Sequence, residues 1–300
     1  MSGPVLITGG AGSVGRMLVA RLRQEGRAVR VFDLPMLNYA GLEGVEGIEV
    51  IKGDITDADA VRRAVDGVDA VIHLAAILPP ASERDRAKTF AVNVDGTTHI
   101  VHALESLAPH AVLVFSSSVS TYGDTAQEAP PVAVTHPQRA IDIYADSKIA
   151  GEQVLLSSKA AWVILRIAGI AVPAFQEPPA VWPFMPEQRV ELVHRDDVVT
   201  AMHRAMTVPE ARGHIFNIAG GPTWQMTGRR YVEGLYDLMG VPHEEAKYRD
   251  TPGWVDWYDT ADSQLTLGYQ NTPYDIFLTQ IKAEVDRLMG DIDDVDDEAS

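Results

Sequence analysis

The sequence predicts an α/β fold in which a doubly wound parallel sheet carries a small, discontinuous C-terminal cap. Three observations lead to this prediction. Short β-rich runs alternate with helical stretches through the first half of the chain, as in a parallel sheet wrapped by helices. Most of these runs are continuously apolar, as expected of strands buried on both faces. A glycine-rich turn separates the first run from the first helical stretch.

The β-rich runs follow one another in a regular order. The predicted strands of the sheet are Val5–Thr8, Val29–Asp33, Ile48–Gly53, Ala70–Leu74, Ala111–Ser116 and Trp162–Ile167. A later run at His214–Ile218 is predicted to rejoin this sheet. Before it, His194–Met206 has the pattern of a helix whose N-terminus is capped by Asp196 or Asp197.

The composition argues against several kinds of partner and chemistry. A formal net charge of -17 disfavours binding to nucleic acid or an anionic membrane, since both need positive surface charge. The chain has no cysteine, which removes disulfides and cysteine-ligated metal and fits a cytoplasmic protein. No apolar run approaches the roughly 20 residues of a membrane span. The adjacent residues His194 to Asp197 point in different directions at a helix start, so no metal site is predicted.

The glycine-rich turn, Thr8-Gly9-Gly10-Ala11-Gly12-Ser13-Val14-Gly15, follows the first predicted strand and opens a helix. In that context a glycine pattern indicates a dinucleotide site. Glycine permits a tight turn and close approach of the backbone to a pyrophosphate, and the helix N-terminus offers unpaired N–H groups. The predicted pyrophosphate contacts are Gly9, Gly12, Ser13, Val14 and Gly15.

Asp33 ends the second predicted strand about 20 residues after this turn, where a carboxylate accepts hydrogen bonds from adenosine ribose hydroxyls. Leu34 and Pro35 follow it, in place of the arginine that the 2′-phosphate of NADP would require. The predicted cofactor is therefore NAD. Asp54 and Ile55, which close the third predicted strand, are candidates for holding the adenine.

Tyr144 and Lys148 are four residues apart in a helical stretch and therefore share one face. A phenol is a poor base at neutral pH, and a nearby ammonium stabilises its phenolate form. Ser118 closes the serine run after the fifth predicted strand, at the sheet edge where ligands of doubly wound folds bind. Its hydroxyl is placed to orient a substrate oxygen.

With these features the chain resembles the extended short-chain dehydrogenase/reductases, the NAD-dependent epimerase/dehydratase family, over nearly its whole folded length. The fold is then a Rossmann fold. Further segments that carry the resemblance are His73-Leu74-Ala75-Ala76, Asn93-Val94-Asp95-Gly96-Thr97, Tyr122-Gly123, Arg166 and Phe216-Asn217-Ile218.

The resemblance implies a role for each matching residue. Tyr144 is the acid/base, Lys148 binds the nicotinamide ribose and lowers the tyrosine pKa, and Ser118 hydrogen-bonds the substrate oxygen. Leu74, Ala75 and Ala76 are implied cofactor contacts. Asn93 is implied to be a structural or relay residue beside the cofactor, and the family pattern implies a homodimer formed partly through the helix that carries Tyr144.

The predicted domains are discontinuous. Residues 1–168 and 190–221 form the NAD-binding domain, and 169–189 and 222–289 form the substrate-binding cap. The first cap segment is rich in proline, so it is expected to hold little regular structure. Residues 290–300 are predicted to be an acidic, solvated tail because six of the eight residues from 291 to 298 are acids.

Departures from the family narrow the prediction. Val119 and Ser120 occupy the positions of the Asp-Glu pair that dehydratases use, so dehydration is disfavoured. Only 27 residues separate Arg166 from His194, a shorter insert than nucleotide-sugar enzymes use to wrap their substrate. The short insert therefore predicts a compact substrate. Arg166 and Arg195 are further candidates for contacts with that substrate.

The predicted function is NAD-dependent hydride transfer at a secondary alcohol or ketone of a small, sugar-like substrate. The first alternative is a nucleotide-sugar 4-epimerase, which would use the same residues and return the hydride to the opposite face. The second, from another class, is a dinucleotide-sensing binding protein without catalysis.

Overall fold

A computed structural model describes residues 3–298, and their side chains as far as residue 287. The described chain forms eleven strands. They are β1 (Val5–Thr8), β2 (Val29–Asp33), β3 (Ile48–Lys52), β4 (Ala70–His73), β5 (Val112–Ser118), β6 (Ala161–Ile167), β7 (Gly169–Ala171), β8 (Arg189–Val190), β9 (Leu192–His194), β10 (Ile215–Ile218) and β11 (Met226–Thr227).

Seven of these strands form one sheet in the order β10-β6-β5-β4-β1-β2-β3. Every neighbouring pair in the sheet is parallel. The predicted fold class is confirmed, and β1 and β2 have the predicted bounds. β5 extends two residues further than predicted, because Ser117 and Ser118 pair with Arg166 and Ile167 of β6.

The described helices are α1 (Ser13–Gln24), α2 (Ala58–Val65), α3 (Arg86–Phe90), α4 (Gly96–Leu107), α5 (Ile143–Leu156), α6 (Arg195–Thr207), α7 (Gly228–Met239), α8 (Ala261–Leu267) and α9 (Tyr274–Glu298). Two apolar clusters cover the two faces of the sheet. Leu18 of α1 and Val198 of α6 belong to one cluster, while Val61 of α2 and Ile100 of α4 belong to the other. Burial on both faces explains the continuously apolar strands.

The start of α6 differs from the prediction. The N-cap is His194, whose Nδ1 accepts a hydrogen bond from the Asp196 backbone N–H at 3.2 Å. Asp197 instead accepts hydrogen bonds from the backbone N–H groups of Asn271 and Thr272 at 3.2 and 3.0 Å. The predicted aspartate cap was therefore wrong, because Asp197 is buried beside a distant loop that supplies better-placed donors.

A third apolar cluster draws on the two segments predicted to form the cap. It contains Trp182 and Phe184 from the proline-rich segment, Tyr231 of α7, and Tyr274 and Phe277 of α9. The proline-rich segment has little regular structure, as predicted, apart from β7 and the start of β8. Most of the predicted acidic tail falls within α9, but its side chains lie outside the described residues.

None of the helices that the structure describes is long and apolar enough to cross a bilayer. The carboxyl ends of β1, β4, β5 and β6 all reach the same edge of the sheet, and the turns that follow them meet there.

Candidate active site

A cavity of about 610 Å³ opens at this carboxyl edge. The glycine turn after β1 lines one side of it, through Gly9, Gly12, Ser13, Val14 and Gly15. The other side is lined by Ser116, Ser117, Ser118, Tyr144 and Lys148. The structure thus brings the predicted dinucleotide turn and the predicted catalytic residues together in one space.

The glycine turn has a shape that side chains would obstruct. Gly9 has a φ of +71°, and a Cβ there would lie 2.9 Å from the Ala75 backbone nitrogen. A Cβ on Gly15 would lie 2.6 Å from the Gly10 Cα. Gly12 caps α1 without any side-chain hydrogen bond, so no side chain competes for the N–H groups of the first turn. These features fit a bound pyrophosphate.

Asp33 lies at the carboxyl end of β2, next to the glycine turn. Its carboxylate accepts hydrogen bonds from the backbone N–H groups of Ala11 at 3.0 Å and Leu34 at 2.9 Å. The Arg16 side chain, which the motif reading missed, donates to carbonyls of Ala11, Asn38 and Ala40. Arg16 therefore joins the glycine turn to the loop that follows β2.

Of the other predicted cofactor contacts, some line the cavity and others do not. Leu74 lines the cavity, whereas the exposed Asp54 carboxylate accepts hydrogen bonds from Thr56 within its own turn. Ile55 is buried, and a side chain at Gly96 would collide with it. Neither Asp54 nor Ile55 lines the cavity.

Ala75 and Asn93 are held by the surrounding structure, and neither they nor Ala76 line the cavity. The Ala75 backbone N–H donates to the Thr8 hydroxyl at 3.3 Å. Asn93 accepts a hydrogen bond from the Ile77 backbone N–H at 2.7 Å and donates to the Ser147 hydroxyl at 2.9 Å. These bonds fit the structural role implied for Asn93.

The three predicted catalytic residues converge within the cavity. Ser118 Oγ accepts a hydrogen bond from the Ser120 backbone N–H at 3.1 Å, and its hydroxyl lies close enough to Tyr144 to lower the tyrosine pKa. Lys148 is buried, with its Nζ 5.7 Å from the centre of the Tyr144 ring. That ammonium donates a hydrogen bond to the Ser116 carbonyl at 2.7 Å. This group can exchange a proton with an alcohol or carbonyl oxygen.

Burial dominates the proton affinities of the two titratable members. It raises the pKa of Tyr144, with a further increase from the Asp142 carboxylate, against a lowering by the Ser118 hydrogen bond. Burial also lowers the pKa of Lys148 to about 8, which the Glu152 carboxylate opposes. The lowering of the Tyr144 pKa by Lys148 stays a prediction, and with its pKa raised Tyr144 is protonated at neutral pH.

Arg166, a candidate substrate contact, does not line the cavity. Its buried guanidinium donates to both carboxylate oxygens of Glu152 at 3.0 and 2.7 Å, and to the Tyr122 hydroxyl at 2.9 Å. Arg195, the other candidate, also fails to line the cavity, and its Nε lies 3.7 Å from Asp196. Arg166 of β6 instead pairs with Glu152 of α5, which takes up its guanidinium.

Several cavity residues were not identified from the sequence. They include Leu78, Pro79, Asp142, Ile170 and Met202. Glu83 was also missed: its carboxylate accepts hydrogen bonds from the backbone N–H groups of Ile143 and Tyr144 at 2.9 and 3.0 Å. Because these residues come from separate loops and helices, no local spacing connects them; the acidic Glu83 offered no motif signal.

His73 lies behind the site with both ring nitrogens bonded. Its Nδ1 is 2.6 Å from the Thr8 hydroxyl and its Nε2 is 3.0 Å from the Thr97 hydroxyl. Burial, with a smaller contribution from the Lys148 ammonium, lowers the pKa of His73 to about 3. The imidazole is therefore neutral in the folded protein at moderately acid pH, where an unfolded histidine is already charged.

This difference predicts a pH-dependent stability. Below about pH 6.5 the unfolded chain binds a proton at His73 that the folded chain does not, so stability is lost as pH falls. The expected loss from this residue is about 3 kcal/mol by about pH 4.5. Denaturant unfolding across this range should show a weaker pH dependence for His73→Gln and an unaltered one for the exposed control His102→Gln. Equal pH dependence in His73→Gln and the parent would contradict the assignment.

Comparison with known proteins places the site in a family. The profile of the NAD dependent epimerase/dehydratase family matches residues 5–177. A 3 beta-hydroxysteroid dehydrogenase/Delta 5-->4-isomerase of Mycobacterium tuberculosis is 36% identical over 161 residues, which are 52% of this chain and 42% of that protein. The chain thus spans less than half the length of that relative.

Two further proteins are similar over more of the chain. The UDP-glucose 4-epimerase of Streptomyces lividans is 30% identical over 239 residues, 77% of this chain and 68% of that protein. A short-chain dehydrogenase/reductase superfamily protein from Agrobacterium tumefaciens, solved with bound NAD, superimposes with a TM-score of 0.81 at 25% identity. That comparison covers 96% of this chain and 99% of the other. The chain belongs to the NAD-dependent epimerase/dehydratase family of extended short-chain dehydrogenase/reductases, as its sequence predicts.

Proposed function

We propose that this protein is an NAD-dependent oxidoreductase or epimerase that transfers hydride at a secondary alcohol or ketone. The observation that carries the proposal is the shared cavity, in which Ser118, Tyr144 and Lys148 face the glycine turn. NAD is the cofactor of the family, and when bound it accepts or returns the hydride. The chain's own residues bind, orient and exchange the proton.

The residues take complementary parts in this chemistry. The glycine turn and the N-terminus of α1 would hold the pyrophosphate, and Asp33 would accept hydrogen bonds from the adenosine ribose. Ser118 orients the substrate oxygen. The protonated Tyr144 donates its proton to that oxygen when a ketone is reduced and takes it back when the alcohol is oxidised. The Lys148 ammonium stabilises the tyrosinate that forms between these steps.

The walls of the cavity support a neutral substrate. Beyond the glycine turn they are largely apolar, with Leu78, Ile170 and Trp254 among them. The charged residues that line the cavity are Asp142 and Lys148, and the Lys148 ammonium already donates to a carbonyl. A diphosphate would favour arginine or lysine side chains free to pair with it. A compact alcohol fits these walls better than a nucleotide-sugar.

The second candidate remains a nucleotide-sugar 4-epimerase. It is favoured by the Streptomyces lividans relative, whose similarity extends over 77% of this chain. The third, a dinucleotide-sensing binding protein, is disfavoured because the catalytic residues are present and converge on one another. Two observations distinguish the three candidates: whether the purified protein retains its cofactor, and whether turnover leaves the cofactor oxidised or reduced.

The test begins with mass spectrometry of ligands released from freshly purified, denatured protein. The same preparation is then supplied with NAD and a panel of secondary alcohols, and NADH is followed by its absorbance. Exchangeable cofactor and NADH formation would support a dehydrogenase. Retained NAD with isomerised product and no net redox would support the epimerase. Binding of NADH without turnover of any alcohol or ketone would support the sensing protein.

Asp33 provides a prediction about cofactor choice. Asp33→Ser is expected to weaken NAD binding by about 10- to 100-fold, since a charge-assisted hydrogen bond to the ribose is lost. It should also narrow the preference for NAD over NADP, because the carboxylate no longer repels the 2′-phosphate. Isothermal titration with both cofactors measures this. Asp59→Ser removes an exposed carboxylate elsewhere and should bind NAD normally; unaltered NAD affinity in Asp33→Ser would contradict the assignment.

We also propose a homodimer that forms partly through α5. Light scattering of the purified protein tests it, and a monomer at all concentrations would contradict it. The cytoplasmic location, the absence of nucleic-acid and membrane partners, and the domain boundaries remain predictions.

A further inference from the structure

We propose that the cap contains a second subsite, which binds a neutral, ring-sized distal group of the substrate that carries a hydrogen-bond acceptor. The inference rests on the proposed function, since the reacting carbinol of the same molecule would lie beside Tyr144. Neither the sequence motifs nor the family assignment identifies this subsite.

The subsite is a separate cavity of about 140 Å³ in the cap. It lies between the proline-rich segment and the helices α7 and α9, and its walls include Trp182, Tyr231, Leu235, Met239 and Phe277. An apolar cavity of about 150 Å³ can accommodate a molecule as large as benzene. This cavity is therefore large enough for one six-membered ring.

The indole N–H of Trp182 indicates that the bound ring should carry a hydrogen-bond acceptor. Trp182 lines the cavity and is 8% exposed, and its buried Nε1–H has no hydrogen-bond acceptor among the described residues. Its ring packs against Phe184 and Tyr231, with ring centres 5.9 and 6.0 Å apart. A buried donor without an acceptor is costly. An oxygen or nitrogen acceptor on the bound group would satisfy it.

The second cavity adjoins the first through β7. Gly169 lines the first cavity, Ala171 lines the second, and Ile170 between them lines both. Two residues along a strand span about 7 Å. A ligand that reaches from the carbinol position past Ile170 can therefore place a ring among the aromatic and aliphatic side chains of the second cavity.

The charges at the second cavity indicate a neutral group. Glu177 is its charged lining residue, and no lysine or arginine of the described chain lines it. An anionic group would meet this carboxylate without a cation to pair with. Burying an apolar ring, in contrast, is favourable in proportion to the area removed from water.

The experiment compares two secondary alcohols with the NAD-loaded protein: butan-2-ol, which lacks a distal group, and 4-phenylbutan-2-ol, which carries a ring. The ratio of their kcat/KM values is expected to favour the phenyl compound by about 10-fold or more. Leu235→Trp should bring that ratio close to one because the indole occupies the cavity. Met239→Trp fills the same space from another position, which keeps the test decisive if Leu235→Trp fails to fold.

The matched control is Leu265→Trp, at a leucine that is 87% exposed, and it should preserve the ratio. A third alcohol, 4-(4-hydroxyphenyl)butan-2-ol, adds an acceptor oxygen. Its advantage over 4-phenylbutan-2-ol should fall about 5-fold in Trp182→Phe, which keeps an aromatic ring but removes the N–H. An unaltered ratio in both cavity-filling variants would overturn the proposal.

Failure of the proposed hydride transfer gives a different result from failure of the subsite. If no alcohol is turned over, binding of 4-phenylbutan-2-one is measured by saturation-transfer NMR, which needs no catalysis. Binding by the parent and Leu265→Trp, but not by the cavity-filling variants, would support the subsite. Equal binding by all of them, or binding by none, would overturn it.

Discussion

Tyr144→Phe is expected to lower kcat/KM for alcohol oxidation and ketone reduction by roughly 10²- to 10⁴-fold, the usual contribution of a positioned acid or base. The phenylalanine keeps the ring but removes the hydroxyl that is proposed to exchange the proton. Steady-state kinetics in both directions measures the loss. The affinity for NAD should change little, because the aromatic ring at position 144 that lines the cavity is retained.

The matched control is Tyr248→Phe, which removes a phenol that does not line the cavity. It should leave kcat/KM within about 2-fold of the parent, as expected for a substitution remote from the transition state. Full turnover by Tyr144→Phe would reject the proposed mechanism. Equal losses in both variants would instead indicate a general effect on folding.

Glu152→Gln is expected to lower the free energy of unfolding by about 3–5 kcal/mol, because it leaves the Arg166 guanidinium buried without a counter-charge. The two side chains are 0% and 5% exposed, and two hydrogen bonds join them. The Ser117 hydroxyl also donates to Glu152 at 2.5 Å, so the carboxylate holds α5 against β5 and β6. Denaturant unfolding at neutral pH measures the change.

Glu187→Gln is the control for this prediction. Glu187 pairs with Arg229, but both side chains are at least half exposed, so the pair is solvated and screened. Its removal should change the free energy of unfolding far less than Glu152→Gln does, because solvent screens the exposed pair. A similarly small change in Glu152→Gln would show that Arg166 finds another partner or water. Loss of the Glu152 charge should also lower the pKa of Lys148 further.

The fold and half of the site are readable from short stretches of sequence. β1 ends at Thr8 as predicted because a run of four buried residues meets a glycine turn whose φ of +71° at Gly9 ends the strand. Tyr144 and Lys148 share a face because both lie in α5, where the helical repeat sets their relation. Such features depend on neighbours within one turn or one strand.

The pairing of Arg166 shows where this reasoning stops. An arginine at the end of a strand beside a ligand site is compatible with substrate binding until the residue opposite it is known. Glu152 lies 14 positions earlier on another element, and no local pattern links the two. The same applies to His194, which caps α6 because distant donors from the loop before α9 occupy Asp197.

The sequence by itself determined the parallel sheet and the position of the glycine turn, because periodicity and fixed spacing encode them. It also predicted the NAD preference from Asp33 and the group of Ser118, Tyr144 and Lys148, which line one cavity. Only the tertiary structure decided the direction of the Tyr144 pKa, the apolar walls of the cavity and the buried Trp182 Nε1–H, which has no acceptor among the described residues. These depend on burial and on contacts between residues far apart in the chain, which no local pattern records.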